Sequence, residues 1–278
     1  MSTPDNLKPV RRVEVLRVSP EHRERRCDLA AAEEPLDIRL HGESFAIVMR
    51  TPGDDQALAA GFLFAERVIR AAADIGAVEH CRHPDRPEAH NTVDVFLRGA
   101  AIDRARDHLA RRRRVAVNSS CGVCGRATID ELSADLPPIA MGSSVRPSVI
   151  ASLPERLRKT QSAFDETGGL HGAALFSFAG DLVAAAEDVG RHNAVDKIVG
   201  RLLLEERPVD EGILMVSGRV SFEIVQKAWL AGVPVVAAVS APTSLAVDLA
   251  RTAGVTLLGF VRSPTFNAYT HESRLANI

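Results

Sequence analysis

Residues 212–261 read GILMVSGRVSFEIVQKAWLAGVPVVAAVSAPTSLAVDLARTAGVTLLGFV, and the way apolar runs take turns with amphipathic stretches here decides the fold. Gly212 to Val216, Val233 to Val239 and Val255 to Val261 are short, apolar and rich in β-branched residues, as strands buried on both faces are. Phe222 to Ala231 and Leu245 to Ala253 carry apolar residues at helical spacing. Strands that alternate with helices call for an α/β sheet covered on both faces. Upstream, Ala194 to Leu204 reads as a further helix. Ala173 to Phe178 and Leu182 to Ala186 read as strands joined by a turn at Ala179-Gly180-Asp181.

A stretch rich in Pro, Ser and Gly, Leu136 to Pro147, reads as a boundary. Before it, strands are expected over Arg12 to Val18, Leu36 to Leu40, Phe45 to Met49 and Thr92 to Leu97. Leu58, Phe62, Phe64, Ala65, Val68 and Ile69 follow helical spacing after Thr51-Pro52-Gly53-Asp54, with Asp54 or Asp55 as the cap. Ile102 to Arg113 predicts a helix with a basic end, and Val115 to Val117 a short strand. The expected division is a disordered tail at 1–10, a smaller N-terminal α/β domain at 11–140, and a C-terminal domain at 141–278.

Bulk properties exclude several classes. The chain has 278 residues, a formal net charge of -2 and a pI near 6.5. No global field favours nucleic acid or an anionic membrane, so neither is expected as a partner. No apolar run reaches the roughly 18 residues that span a bilayer. The start, Met-Ser-Thr-Pro-Asp-Asn-Leu-Lys, lacks the apolar segment of a secretory signal. Four cysteines are too few for a disulfide scaffold at this length. A cytoplasmic protein with reduced thiols is expected.

The C-terminal half places unusual polar residues where strands end and helices begin. Glu187-Asp188-Val189-Gly190-Arg191-His192-Asn193 is the first such elbow, with Asp196 and Lys197 a turn later. Ser217-Gly218-Arg219-Val220-Ser221, Ser240-Ala241-Pro242-Thr243-Ser244 and Gly259-Phe260-Val261-Arg262-Ser263 are the others. In open α/β sheets ligands bind in the crevice beyond the strands' carboxyl ends. Small residues there open helix N-termini to phosphate oxygens, while Arg191, Arg219 and Arg262 supply charge. Each elbow also has a plain structural reading: Ser221 and Thr243 as helix caps, Gly190 and Gly218 as turn glycines, Asp196 with Lys197 as a solvated face. The convergence of four elbows favours a site.

Ser119-Ser120-Cys121-Gly122-Val123-Cys124-Gly125 is a paired-thiol loop. Such loops bind metal, shuttle electrons or carry sulfur, and each use needs an accessible thiolate. Arg111 to Arg114 and Arg126 flank it and favour ionisation. Half a zinc site is one alternative, with Cys81, His80 and His83 as conceivable partners, but a second C-x-x-C is missing. A zinc-deaminase site fails because His171 is followed by Gly172 and Ala173 and Ser120 precedes Cys121. A thiol–disulfide oxidoreductase would need a thioredoxin-like β-α-β around the motif. Cys27, between Arg26 and Asp28, reads as an incidental thiol.

Together these strings resemble the formate dehydrogenase accessory sulfurtransferase family, FdhD. The matching segments are Glu34-Pro35-Leu36, Ala60-Gly61-Phe62-Leu63, Ser119 to Gly125, Thr167-Gly168-Gly169-Leu170-His171, Glu187 to Lys197, Ser217 to Lys227, Ala238 to Leu249 and Gly259 to Thr270. Ala268 departs from the pattern, where a larger apolar residue is expected. The resemblance implies a cytidine deaminase-like C-terminal fold joined to a smaller N-terminal α/β domain, often as a homodimer. It implies a sulfurtransferase that takes persulfide sulfur from a cysteine desulfurase on Cys121, with Cys124 assisting. It implies that the acceptor is the molybdenum (or tungsten) bis(guanine dinucleotide) cofactor, before that cofactor enters the formate dehydrogenase catalytic subunit. Phe260, Val261, Arg262, Ser263, Pro264 and Thr265 match the cofactor-binding stretch. Gly190, Arg191, His192, Asn193, Ser217, Gly218, Arg219, Ser240 and Thr243 are the elbow residues expected to line the same crevice. Guanine nucleotide should mimic the cofactor. His192 and Asp188 are further candidates for guanine or proton contacts, and no metal ligand is assigned. The competing reading is a non-catalytic chaperone that delivers the cofactor and uses the cysteines as a zinc clip.

Overall fold

The computed structural model describes residues 8–81, 89–112, 136–207 and 212–276. Its largest element is a six-stranded sheet built by β7 (His171–Ser177), β8 (Leu182–Asp188), β9 (Gly212–Val216), β10 (Val235–Ala238), β11 (Thr256–Arg262) and β12 (Thr265–Thr270). The spatial order is β12-β11-β10-β9-β7-β8. β9, β10 and β11 run parallel, β7 is antiparallel to both β9 and β8, and β12 is antiparallel to β11. β8 therefore points the same way as β9, β10 and β11.

Helices cover both faces, as the sequence predicts. One face packs on α5 (Arg191–Leu204), α6 (Phe222–Leu230) and α7 (Ser244–Ala253) through Ile198, Leu202, Val225, Trp229 and Leu249. The other packs on α3 (Pro147–Arg158) through Val149, Ile150, Leu153 and Leu157. β9 and β10 are buried along their whole length.

The N-terminal half holds a four-stranded sheet in the order β4-β3-β6-β5, made of β3 (Glu34–Leu40), β4 (Glu43–Arg50), β5 (Ile75–His80) and β6 (Thr92–Leu97). Its core packs on α1 (Asp55–Ala65) and α2 (Ala100–Arg112). A separate ribbon, β1 (Val10–Val18) paired with β2 (Arg23–Ala31), leans on the short helix α4 (Ser162–Thr167). The ribbon begins at Val10, inside the stretch expected as tail, and β2 is an addition to the sequence reading. β2 carries charges on both faces, so neither strand period nor burial marks it.

The two sheets are joined by a helix pair and a polar clasp. α1 and α5 cross so closely that a Cβ on Gly61 would stand 1.9 Å from the Asp196 carbonyl oxygen. One on Gly200 would stand 1.8 Å from that of Ala57. Only glycine permits this approach. Beside the crossing, Thr51 N–H donates to Asp188 Oδ2 at 3.1 Å, and Lys197 Nζ donates to Thr51 O at 2.9 Å. Val189 N–H donates to Thr51 Oγ1 at 3.1 Å.

The expected cap of α1 is not made. Asp54 sits at φ 56° without a capping bond and pairs with Arg201 instead, while Asp55 pairs with the buried Arg50. α1 stops at Ala65, although Val68 and Ile69 remain buried beyond it.

Candidate functional site

Because β8, β9, β10 and β11 share a direction, their carboxyl ends reach one edge, and β7 begins there. All four predicted elbows therefore lie along a single rim. Backbone bonds stitch them together: Val220 N–H to Ala241 O at 3.2 Å, Thr243 N–H to Val220 O at 2.9 Å, and Phe260 N–H to Ser240 O at 3.1 Å. Ser217 closes the row on β7, its N–H donating to Gly172 O at 2.9 Å and its Oγ accepting from Gly172 N–H at 3.0 Å.

Some predicted residues are spent on the fold. Asp188 is fully buried, and its carboxylate meets Lys197 Nζ at 2.7 Å, Gly190 N–H at 2.8 Å and Asn193 Nδ2 at 2.9 Å besides Thr51. Asn193 gives its other Nδ2 hydrogen to Met49 O at 2.8 Å. Val261 turns into the α3 core. Thr243 Oγ1 caps α7 by accepting from Ala246 N–H at 3.3 Å, as its plain reading held.

The solvated face expected at Asp196 and Lys197 is absent: both are 2% exposed. Asp196 pairs with Lys227 at 2.6 Å, and burial still pushes its carboxyl up while Lys227 opposes. A helical stretch with charges on it does not show from sequence that another helix will cover them.

Ser221 makes no capping bond; its Oγ lies 2.9 Å from His192 Nε2, which also lies 3.0 Å from Glu223 Oε2. Both contacts fall on one ring nitrogen. Glu223 therefore does not orient the ring from its far side, as the third member of a nucleophile–base relay would.

The remaining predicted residues are left open. Arg219 and Arg262 are exposed and have no hydrogen-bonded or ion-paired partner among the described residues. Arg191 has a buried Nε without a partner among the described residues. The other buried arginines keep several partners, Arg50 with Asp55 and Asn91 and Arg274 with four oxygens, although Arg50 Nη1 and Arg274 Nε are also without a hydrogen bond among the described residues; Arg104 meets Asp74 and Arg201 meets Asp54. α5 and α6, whose N-terminal ends face this rim, start at Gly190 and Ser221 without side-chain caps, and the positive end of each helix dipole lies on it.

At the far end of the rim, Phe260 is 42% exposed with φ 53°, where the β11–β12 register shifts. A bulky residue in the left-handed region is strained, and such strain clusters at ligand sites. Arg262, Ser263 and Pro264 line a cleft of about 700 Å³ against Pro147, Ser148 and Ala151 of α3. Thr265 is exposed beside them.

The FdhD/NarQ family profile covers residues 31–276. The chain belongs to the FdhD/NarQ family. A sulfur carrier protein FdhD from Streptomyces avermitilis is 49% identical over 261 residues, spanning 90% of each chain. Others so named are 50% identical over 256 residues in Anaeromyxobacter dehalogenans (89% of this chain, 88% of that one) and 45% identical over 273 residues in Saccharolobus solfataricus (96% and 98%). The fold matches the crystal structure of a candidate formate dehydrogenase accessory protein from Desulfotalea psychrophila. Its TM-score is 0.76 and its identity 23%, over 97% of this chain and 100% of that one.

Of the residues this FdhD/NarQ chain was expected to use, Cys121 and Cys124 lie outside the described residues, as does the strand expected at Val115 to Val117. Cys27 is exposed and Cys81 half-buried, both free thiols. Among the described residues, no three His, Cys, Asp or Glu side chains are grouped to hold a metal, and no helix is long and apolar enough to cross a membrane.

The rim contains one residue that sequence reasoning weighed only as a zinc ligand. His171 opens β7 and stands beside Gly218: a Cβ on that glycine would meet His171 Nδ1 at 3.2 Å and Arg191 Cδ at 3.9 Å. Burial, with Arg191, His192 and Arg219 adding to it, holds the imidazole below the ordinary histidine range; Asp188 opposes. The signal was present as a histidine following Gly168-Gly169-Leu170, but only the pairing of β7 with β9 brings it to Gly218.

Proposed function

We propose that this protein is a sulfur carrier in the maturation of formate dehydrogenase. The sulfur-carrier name of relatives sharing close to half its residues supports the role, and the uncompensated cationic rim supports the kind of acceptor. Cys121 thiolate attacks the outer sulfur of a cysteine desulfurase persulfide. A new S–S bond forms at Cys121, the donor's S–S bond breaks, and the donor leaves as a thiolate. Cys124 relays or shields that sulfur.

The acceptor is the molybdenum bis(molybdopterin guanine dinucleotide) cofactor, bound as substrate before it enters the dehydrogenase catalytic subunit. Its phosphates match Arg191, Arg219 and Arg262 and the helix N-terminus at Gly190. Phe260 to Thr265, with Ser240 and Gly218, form the rest of the cradle, and guanine nucleotide occupies it as a mimic. The protein works as a cytoplasmic homodimer.

The observation that carries this reading is the set of arginines, Arg191, Arg219 and Arg262, left without hydrogen-bonded or ion-paired partners among the described residues on one sheet edge, in a chain that also holds a C-x-x-C loop. Incubation with a desulfurase and cysteine tests it. Mass spectrometry should find about one added sulfur atom on Cys121. No gain in the native chain, or an equal gain in Cys121→Ala, would remove the transfer claim.

A further inference from the structure

We infer that His171, Arg191 and Arg219 form one diphosphate-binding subsite over Gly218, with His171 as the group that distinguishes a phosphate-bearing ligand from a bare nucleoside. This rests on the crevice reading above and assigns a part of it that the elbow motifs do not contain.

Four observations converge on the place. Gly218 brings the backbone against the His171 ring and the Arg191 side chain: a Cβ there would stand a tight 3.2 Å from His171 Nδ1 and 3.9 Å, ordinary contact, from Arg191 Cδ. Arg191 buries Nε without an acceptor among the described residues. Arg50 Nη1 and Arg274 Nε are also without one, but those two arginines make other side-chain hydrogen bonds and Arg191 makes none there, an arrangement that costs free energy unless something fills it. Arg219 is exposed at the next position and unpaired among the described residues. Ser217, the neighbour on the other side, has its Oγ engaged by Gly172 N–H, so it fixes the loop and leaves recognition to the cations.

The charged and titratable groups facing His171 are Arg191 and His192 from α5, Asp188 from β8 and Arg219 from the loop after β9. Three of these four carry or can carry positive charge, and the carboxylate of Asp188 is committed to Lys197 and Thr51. The unliganded pocket therefore disfavours a protonated ring. A diphosphate reverses the local field and favours the imidazolium, which donates from both ring nitrogens. Binding is thus accompanied by proton uptake at His171, and affinity rises as pH falls toward the ordinary histidine range.

Calorimetric titration with guanosine diphosphate, guanosine and inorganic pyrophosphate tests this, each in two buffers of different ionisation enthalpy. The native chain should bind guanosine diphosphate and pyrophosphate with proton uptake, and His171→Asn should abolish the uptake attributable to the protein. Arg219→Ala, which removes an exposed side chain and leaves packing alone, should weaken guanosine diphosphate about tenfold or more while changing guanosine little. Unchanged affinity and unchanged uptake in both variants would overturn the subsite while leaving the crevice reading in place. Pyrophosphate binding that depends on His171, with no preference for the guanine compound, would keep the subsite and remove the guanine reading. Binding of neither diphosphate would remove both.

Discussion

The α1–α5 crossing and the carboxyl rim of the six-stranded sheet lie at opposite extremes of polar accounting. At the crossing and its clasp, the buried charges of Asp188 and Lys197 are paired, and backbone meets backbone across Gly61 and Gly200. A few residues away, Arg191, Arg219 and Arg262 have no carboxylate partner among the described residues. Within one fold, the first region has been completed by the chain itself and the second leaves room for something else. An elbow residue's position alone does not say to which region it belongs; its partners do.

The contrast breaks most severely if the clasp is cut. Lys197→Met leaves Asp188 buried beside Thr51 without its counter-ion and should cost about 3–5 kcal/mol. Chemical denaturation would show it, and a loss below about 1 kcal/mol would mean the two sheets do not depend on the clasp. Gly200→Ala comes next. Its Cβ has no flexible neighbour to displace, so the helices must separate, at a cost on the order of 3 kcal/mol.

Phe260→Gly should act in the opposite sense. Removing the Cβ relieves the left-handed strain and stabilises the fold by about 1 kcal/mol, while guanosine diphosphate affinity falls. A loss of stability would show that the exposed ring packs for the fold. Thr243→Ala should cost about 1 kcal/mol through the lost α7 cap and leave ligand affinity unmoved.

The smallest effect is a pH dependence. The His171 pKa in the folded chain lies below its unfolded value near 6.5. The unfolded chain binds the proton first, so stability is full above that pH and is lost as pH falls through the unfolded value toward the folded one. A urea series should show His171→Asn losing less stability than the native chain over that window. Equal slopes would place His171 in ordinary solvent.

The six-stranded sheet was legible because its strands are apolar on both faces and its helices amphipathic, so each period stood clear of the other. The ribbon strand Arg23–Ala31 was not, since solvent on both faces leaves no alternation to read. α3 was hidden because its first residue, Pro147, was read as the end of the boundary stretch, and Pro154 inside it interrupts the helical pattern. The four elbows were placed correctly on one edge. What the sequence could not divide was their labour: the partners of Asp188 and Asn193 come from Thr51 and Met49, 137 and 144 residues distant. His171 reaches the rim only by strand pairing, and Asp196 is buried because α1 crosses at Gly61 and α6 brings Lys227 over it.

Side-by-side measurement of thermal stability and guanosine diphosphate affinity for Arg219→Ala and Arg262→Ala tests the reading of the rim most directly. Melting temperatures should stay within about 2 °C of the native value, since an unpaired exposed arginine contributes at most about 0.5 kcal/mol, while affinity falls about tenfold or more. Melting temperatures that drop with affinity intact would mean these arginines serve the fold, and that the rim is not where the acceptor binds.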